Sequence, residues 1–338
     1  MRPFAYERAS DPAAAVHVAT SIAAEAHVRA PVQYLAGGTT LLDLMKIDVM
    51  QPERVVDIRT LAARLGAIEA DASGLRLGAL ASMAETAAHP AVRQDYPVIA
   101  QSLAQAASAQ LRNMASLGGN VLQRTRCHYF RDVSNHACNK RLPGSGCAAI
   151  GGVNRLLAVL GTSEHCIASY PGDLAQALIA LDASVETLGP SGPRTLRFAE
   201  LHRAPGDTPH IETNLAPGEL ITGFRVPFGP WTRRSLYVKV RDRESYAFAL
   251  ASAAVALDLQ EGVVREVRIG LGGLATRPWR AEAAEAVLRG QRLDETSAQK
   301  AAEAAFADAI IHGDNAFKPE LGRRTLVRAL LQAAALEV

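Results

Sequence analysis

The thiols of this 338-residue chain are four cysteines, Cys127, Cys138, Cys147 and Cys166, and all of them fall in one window of the sequence. Two disulfides are the plainest use for such a set. They do not suit a chain that shows no export signal and has enough apolar residues for a large core. Metal is the better reading, because four thiolates close an all-cysteine site around zinc or around a cubane iron–sulfur cluster. Even the nearest pair, Cys138 and Cys147, is too far apart for the Cys-x2-Cys knuckle of a zinc ribbon. A long loop must therefore wrap something, which favours a [4Fe–4S] cluster mildly and leaves zinc open. Gly144, Gly146, Gly151 and Gly152 would let backbone approach the sulfurs and donate to them. His128, His136 and His165 lie in or beside the window as substitute ligands or as ordinary loop residues.

Two glycine motifs carry a second chemistry. "LAGGTTLL" (Leu35 to Leu42) stands between an apolar run and a segment of helical spacing, and "SLGGN" (Ser116 to Asn120) follows "SAQLRN". Bare glycine N–H groups beside Ser, Thr and Asn suit a pyrophosphate. The chain has no G-x-G-x-x-G, so a Rossmann dinucleotide site is not supported.

The elements that must position these residues can be read from periodicity and turn chemistry. The first 60 residues read as a small α/β unit: a helix over 11–26, a strand at 32–36, the glycine turn, a short helix at 41–46, and a strand at 54–58. Residues 66–80 alternate around an Asp71-Ala72-Ser73-Gly74 hairpin turn. Ser82 and Glu85 have capping-box spacing, and a helix over 96–107 follows. After the irregular cysteine stretch come short strands at "LAVLG" and "HCIAS", then a helix over 173–183. A strand–turn–strand from Ser184 and a strand at 219–227 complete this part. "PFGP" suggests a boundary, giving domains 1–227 (subdomains about 1–60 and 61–227, cysteine loop 121–166) and 228–338. The last third reads as an α+β domain: a strand at "SLYVKVRD", an Ala-rich helix over 246–259, a strand at "VVREVRIGLGG", and three helices.

Composition excludes several classes. Lys and Arg number 36 against 34 Asp and Glu, so a net charge of +2 gives no reason to expect nucleic acid or a membrane surface. No apolar run approaches the roughly 20 residues of a membrane span. Arg2, Glu7, Arg8 and Asp11 stand where a signal peptide would be apolar. The chain is thus expected to be cytoplasmic, or periplasmic if co-exported with a partner that carries a twin-arginine signal.

"LAGGTTLL", "QLRNMASLGGN", "YPGDLAQALIALDA", "GELITGFRVP" and "YVKVRDRESYAFALASAAVAL" occur in that order. Together they resemble the FAD-binding medium subunit of the molybdenum hydroxylases, the xanthine dehydrogenase and aldehyde oxidoreductase family, over essentially the whole chain. The cysteine loop is similar to that of the minority of these subunits that carry an extra [4Fe–4S] cluster. "VLQRTRCHYFRD" and "KVRDRESYAFA" lean toward the aldehyde oxidoreductase kind. The resemblance implies an α+β fold, with a two-subdomain FAD-binding domain of the vanillyl-alcohol-oxidase type followed by a C-terminal α+β domain. It also implies cofactor contacts from Leu35, Ala36, Gly37, Gly38, Thr39, Thr40, Leu41 and Leu42, with the N–H groups of residues 37–40 on the FAD pyrophosphate. Ser116, Gly118, Gly119 and Asn120 would line its other side. Ala106, Asp132, Ile221 and Lys239 match further cofactor positions, and Cys127, Cys138, Cys147 and Cys166 would hold the cluster.

By the same resemblance the chain is an electron-transfer subunit of a heterotrimer. A small [2Fe–2S] subunit and a large molybdenum subunit would be its partners, with an external electron acceptor, and the complex would oxidise an aldehyde to a carboxylic acid. Alternatives are the medium subunit of a xanthine dehydrogenase or hydroxybenzoyl-CoA reductase type enzyme, a self-contained flavin oxidoreductase, and a zinc-stabilised scaffold. The absence of a convincing catalytic base argues against the self-contained enzyme. Elsewhere the plain structural expectation applies: Arg124, Arg126, Arg131, Lys140 and Arg141 as a solvated or subunit-contacting basic loop, Trp231 and Trp279 as core or interface residues, and Asp57 and Arg59 as surface groups at a strand end. A solvated strand lysine is the competing reading for Lys239.

Overall fold

The structure, a computed structural model, describes residues 1–134 and 137–338; His136 lies outside the described residues. The first sheet is parallel, with β1 (Ala5–Arg8), β2 (Val32–Leu35) and β3 (Arg54–Asp57) in the order β1-β3-β2. Asp11 caps the helix Pro12–Ala19, its Oδ1 accepting from the N–H of Ala14 at 2.8 Å. The helix stops well short of Ala26. Thr20 Oγ1 donates back to the carbonyls of Val16 and His17 at 2.9 and 3.1 Å, and Ser21 Oγ to Val18 at 2.7 Å. These hydroxyls take over the last carbonyls of the helix. β2 runs straight into the first glycine loop, which leads to the helix Leu41–Lys46. The loop thus stands at the carboxyl end of a parallel strand, where open α/β sheets bind ligands.

The second sheet is antiparallel: β4 (Ile68–Asp71), β5 (Gly74–Gly78), β6 (Ser184–Gly189), β7 (Gly192–Arg197) and β8 (Leu220–Pro227), in the order β4-β5-β8-β6-β7. The hairpin turn and the capping box are as expected. Asp71 Oδ1 accepts from the N–H groups of Ser73 and Gly74, and Ser82 and Glu85 cap the helix Met83–Ala88 reciprocally. The helix expected over 96–107 spans Pro97–Ala104 and is over before Ala107, whose φ of 48° cannot continue it. "LAVLG" and "HCIAS" are not strands. They make single bridges, Leu160 to Ala275 and Ser163 to Cys166, and Val159 and Leu160 both donate to the carbonyl of Leu274.

The third sheet is β12-β11-β10-β9, formed by β9 (Ser235–Val240), β10 (Ala251–Gln260), β11 (Val263–Gly272) and β12 (Trp279–Arg280). Here the Ala-rich segment expected as a helix is the interior strand β10. Both of its faces are covered: Ala254 and Ala256 join one core with the helices Pro97–Ala104 and Leu174–Ala180. Ala251, Ala253, Val255 and Leu257 join the other, with the C-terminal helices. Small side chains let helices approach from both sides, so tertiary packing overrides helix propensity. On β11, a Cβ at Gly270 would meet the Gln176 carbonyl oxygen at 2.3 Å. The three expected terminal helices are Glu282–Leu288, Glu295–Ala305 and Lys318–Ala334. Lys318 is fully buried and donates to the carbonyls of Leu156, Leu157 and Gly273, tying the last helix to the end of the cysteine loop. Trp231 and Trp279 pack against the two main cores, as expected. Asp57 is not a surface group: it is 1% exposed and accepts from Arg59 and from Tyr6.

Candidate cofactor site

The two glycine motifs meet, and they contribute differently. Gly37 lies against the Met114–Ala115 backbone, while Gly38 takes a φ of 72°, which favours glycine. Among the described residues, no protein acceptor takes the N–H groups of Gly37, Gly38, Thr39 and Thr40. Four backbone donors left free in one turn form an anion cradle. In the second motif the donors are already used. Gly118 donates to Ala79 O at 2.8 Å, Gly119 to Ser116 Oγ at 3.2 Å, and Asn120 to Ser116 O at 2.8 Å. Its glycines supply room instead: a Cβ at Gly118 would press on Ala79 and one at Gly119 on Ser116 Oγ. The buried Oδ1 of Asn120 has no partner among the described residues. A ligand donor there would satisfy it.

Two clefts join at Thr39 and Thr40, with about 930 and 1340 Å³ of space, open mouths included. Ala36, Gly37, Gly38, Leu41, Ser116, Gly118, Gly119 and Ile221 line the first. Ala106, Asn120 and Lys239 line the second. Leu35 and Leu42 line neither, and pack beneath the loop beside Leu41, Met45 and Val55. Asp132 also lines neither cleft: it closes a turn in which Ser134 N and Oγ donate to it at 2.9 and 2.6 Å.

Lys239 is buried, not solvated, with its side chain 1% exposed. Its Nζ donates to Asp173 Oδ2 at 2.8 Å and to Gln105 O at 3.1 Å. Tyr237 Oη donates to the other Asp173 oxygen at 2.6 Å. Burial pushes the Asp173 carboxyl up from its ordinary range, and Lys239 and Tyr237 pull the other way. Sequence reading missed Asp173 as a site residue. Its signal was present: Tyr237 and Lys239, two apart on β9, share a sheet face and need a common polar partner. Across the second cleft, Asp43 accepts from Arg126 at 3.0 Å and from both outer nitrogens of Arg131 at 2.8 and 2.9 Å. Arg131 above all holds the Asp43 carboxyl below the usual range. Arg126 also lies over the Phe248 ring, and half-exposed Tyr246 and Phe248 stand at the mouth.

All four cysteines are free thiols, belong to one apolar cluster and line one small cavity. Cys138 and Cys147 face each other across an antiparallel bridge. Burial pushes the Cys127 thiol up to about 12. Among the described residues no group of three His, Cys, Asp or Glu is gathered as ligands of a single metal ion. The loop glycines serve folding more than sulfur contact. Gly146 donates to Asn139 Oδ1 at 2.9 Å, Gly144 and Gly146 have φ of 81° and 91°, and Gly152 makes room for Tyr129. Gly151 has open space where a Cβ would stand. His128 and His165 are exposed, the latter 3.4 Å from Asp207.

The basic residues of this loop are committed inside the protein. Arg124 donates to both Glu212 oxygens at 3.1 and 3.0 Å, and Lys140 Nζ lies 3.1 Å from the same carboxylate. Burial works to raise the Glu212 pKa, but the charges of Arg124 and Lys140 outweigh it and hold the carboxyl at about 2. Arg141 donates to the carbonyls of Tyr129 and Phe130.

Comparison with known proteins fits this geometry. Residues 2–229 match the FAD binding domain in molybdopterin dehydrogenase, and 236–338 the CO dehydrogenase flavoprotein C-terminal domain. The chain is 46% identical over 337 residues to the aldehyde oxidoreductase FAD-binding subunit PaoB of Escherichia coli K12, covering 99% of each. It is 27% identical to the carbon monoxide dehydrogenase medium chain of Afipia carboxidovorans, over 91% of this chain and 86% of that one. Among solved structures, reconstituted CO dehydrogenase from Oligotropha carboxidovorans superposes with a TM-score of 0.75 at 25% identity, covering 99% and 98% of the two chains. Quinoline 2-oxidoreductase from Pseudomonas putida 86 shares the fold, with a TM-score of 0.74 at 22% identity over 98% of this chain and 97% of that one. The chain belongs to the FAD-binding medium subunits of the molybdenum hydroxylases and is a subunit of an oxidoreductase complex.

Proposed function

We propose that this chain is the electron-transfer subunit of a molybdenum-dependent aldehyde oxidoreductase, holding one FAD and one [4Fe–4S] cluster. It is the middle member of a heterotrimer, between a small [2Fe–2S] subunit with a large molybdenum subunit and an external acceptor. The observation that carries the aldehyde reading is the 46% identity to PaoB over 99% of both chains. FAD, when bound, supplies the electron-accepting chemistry. The free N–H groups of residues 37–40 receive the diphosphate, the glycines of the second motif leave it room, and Asn120 Oδ1 accepts a donor from the ligand. Lys239, fixed by Asp173, places an ion-paired ammonium in the lining of the second cleft.

The long spacing of the cysteines favours a cluster over zinc at this cavity. In a cubane each thiolate binds a different iron, so the four sulfurs stand farther apart than around one zinc ion. Four free thiols line one cavity, a complete donor set for a cubane, and none of them stands at the knuckle spacing of a zinc ribbon. Cysteine ligands must lose their protons, so loading releases protons and favours neutral to alkaline pH. Among the described residues no helix is long and apolar enough to cross a membrane. A twin-arginine signal on a partner would carry the chain across a membrane already folded, since both cofactors need a formed site.

Aldehyde oxidation, assayed with the chain alone and with its co-expressed partners, tests the reading. Turnover is expected only in the assembled complex, and turnover by the isolated, molybdenum-free chain overturns it.

A further inference from the structure

Lys140 is the only Lys or Arg among the described residues lining the cysteine cavity. Its side chain is 12% exposed, and its Nζ donates to Pro209 O at 3.0 Å and pairs with Glu212 at 3.1 Å. Glu212 in turn holds Arg124, which is 6% exposed and lines the first cleft. Two cations therefore share one carboxylate, and among the described residues the triad carries one uncompensated positive charge in a desolvated place. Such a charge is costly unless an anion faces it. Lys140 lines an open cleft beside Arg2, Arg29 and Arg141 on one side, where cations gather, and the cysteine cavity on the other, where the facing anion is whatever the four thiolates hold.

We infer that Lys140 is the resident counter-cation of the cysteine cavity and sets the potential at which a cluster held there takes up an electron. This rests on the [4Fe–4S] reading above. When one electron arrives from a reductant such as dithionite, one iron is reduced, no bond forms or breaks, and the cluster becomes one charge unit more negative. A fixed cation nearby favours that state, and a fixed anion opposes it. Lys140 acts through charge and not as a ligand, and Glu212 tempers it.

The test is a dithionite titration, followed by the paramagnetic signal of the reduced cluster, on the full chain purified anaerobically with its partners. Metal content is measured on the same samples. Lys140→Met is expected to keep iron and to shift the midpoint to lower potential, Lys140→Arg to stay near wild type, and Glu212→Gln to shift it upward. A merely structural role would not give shifts of opposite sign. Iron retained in Lys140→Met with an unchanged midpoint overturns the inference while leaving the cluster reading intact. If Lys140→Met loses iron, Glu212→Gln decides: an upward shift supports the inference and no shift overturns it. Loss of iron in both variants also overturns it, because a tuning charge is dispensable to ligation. Zinc, or no iron, in the wild-type chain overturns the cluster reading itself and the inference with it.

Discussion

A Cβ added to Gly37 would stand 1.8 Å from the carbonyl oxygen of Met114. This contact joins the two glycine motifs, which lie far apart in sequence, into one cradle. Gly37→Ala is therefore expected to push the first loop off the Met114–Ala115 backbone and to lower FAD occupancy sharply. Gly38→Val acts by a different route, forcing a β-branched residue to a φ of 72°, at a cost of about 1–3 kcal/mol. Flavin content per chain after purification checks both, and full retention in Gly38→Val would count against a pyrophosphate at this loop.

The Lys239–Asp173 pair carries its own prediction. Lys239→Met leaves the buried carboxylate without its cation and is expected to cost about 3 kcal/mol. Adding Asp173→Asn should recover part of that loss, because the double variant no longer buries an unpaired charge. Urea unfolding of the wild type, Lys239→Met, Asp173→Asn and the double variant measures this. Equal stability of Lys239→Met and wild type would mean the pair is not coupled.

His202 is expected to make FAD retention sensitive to acid. Its Nε2–H donates to Val121 O at 3.1 Å at the end of the helix Leu117–Val121, its ring packs on Tyr170, and Nδ1 has no partner among the described residues. Burial pushes its pKa down to about 4, from an ordinary value of 6.5. The unfolded chain therefore binds the proton first. Stability is intact above pH 6.5 and falls as the pH drops toward 4, by on the order of 3 kcal/mol. His202→Gln should flatten that part of the stability curve and of the FAD-release curve. An unchanged slope between pH 6.5 and 4 contradicts the assignment.

Each cysteine variant, Cys127→Ser, Cys138→Ser, Cys147→Ser or Cys166→Ser, is expected to lose the cluster, since the chain holds no spare thiol. Iron and zinc analysis of the wild type and the four variants checks this. About four irons per chain are expected in the wild type, as the cubane requires.

Local signals were legible where short-range chemistry decides the structure. The Asp71 hairpin and the Ser82–Glu85 capping box are complete within a few residues, and the structure keeps both. β10 was not legible, because its alanines answer to helices packed on both faces, which no window of sequence contains. The same holds for charge. Arg124, Lys140 and Asp57 look like surface groups until distant partners, Glu212 and Tyr6, are brought to them by the fold. At the site, the glycine loops could be read as an anion cradle, but not that one gives donors and the other gives room. That division depends on Ala79 and Ser116 having already taken the N–H groups of Gly118 and Gly119.

On the proposed function, electrons from aldehyde oxidation reach the flavin of this chain only through its partners. Anaerobic mixing with an aldehyde, followed by bleaching of flavin absorbance, tests it most directly. Bleaching is expected in the assembled complex and none in the isolated, FAD-loaded chain. Bleaching of the isolated chain, or aldehyde consumption by the complex while its flavin stays oxidised without any other acceptor present, would contradict it.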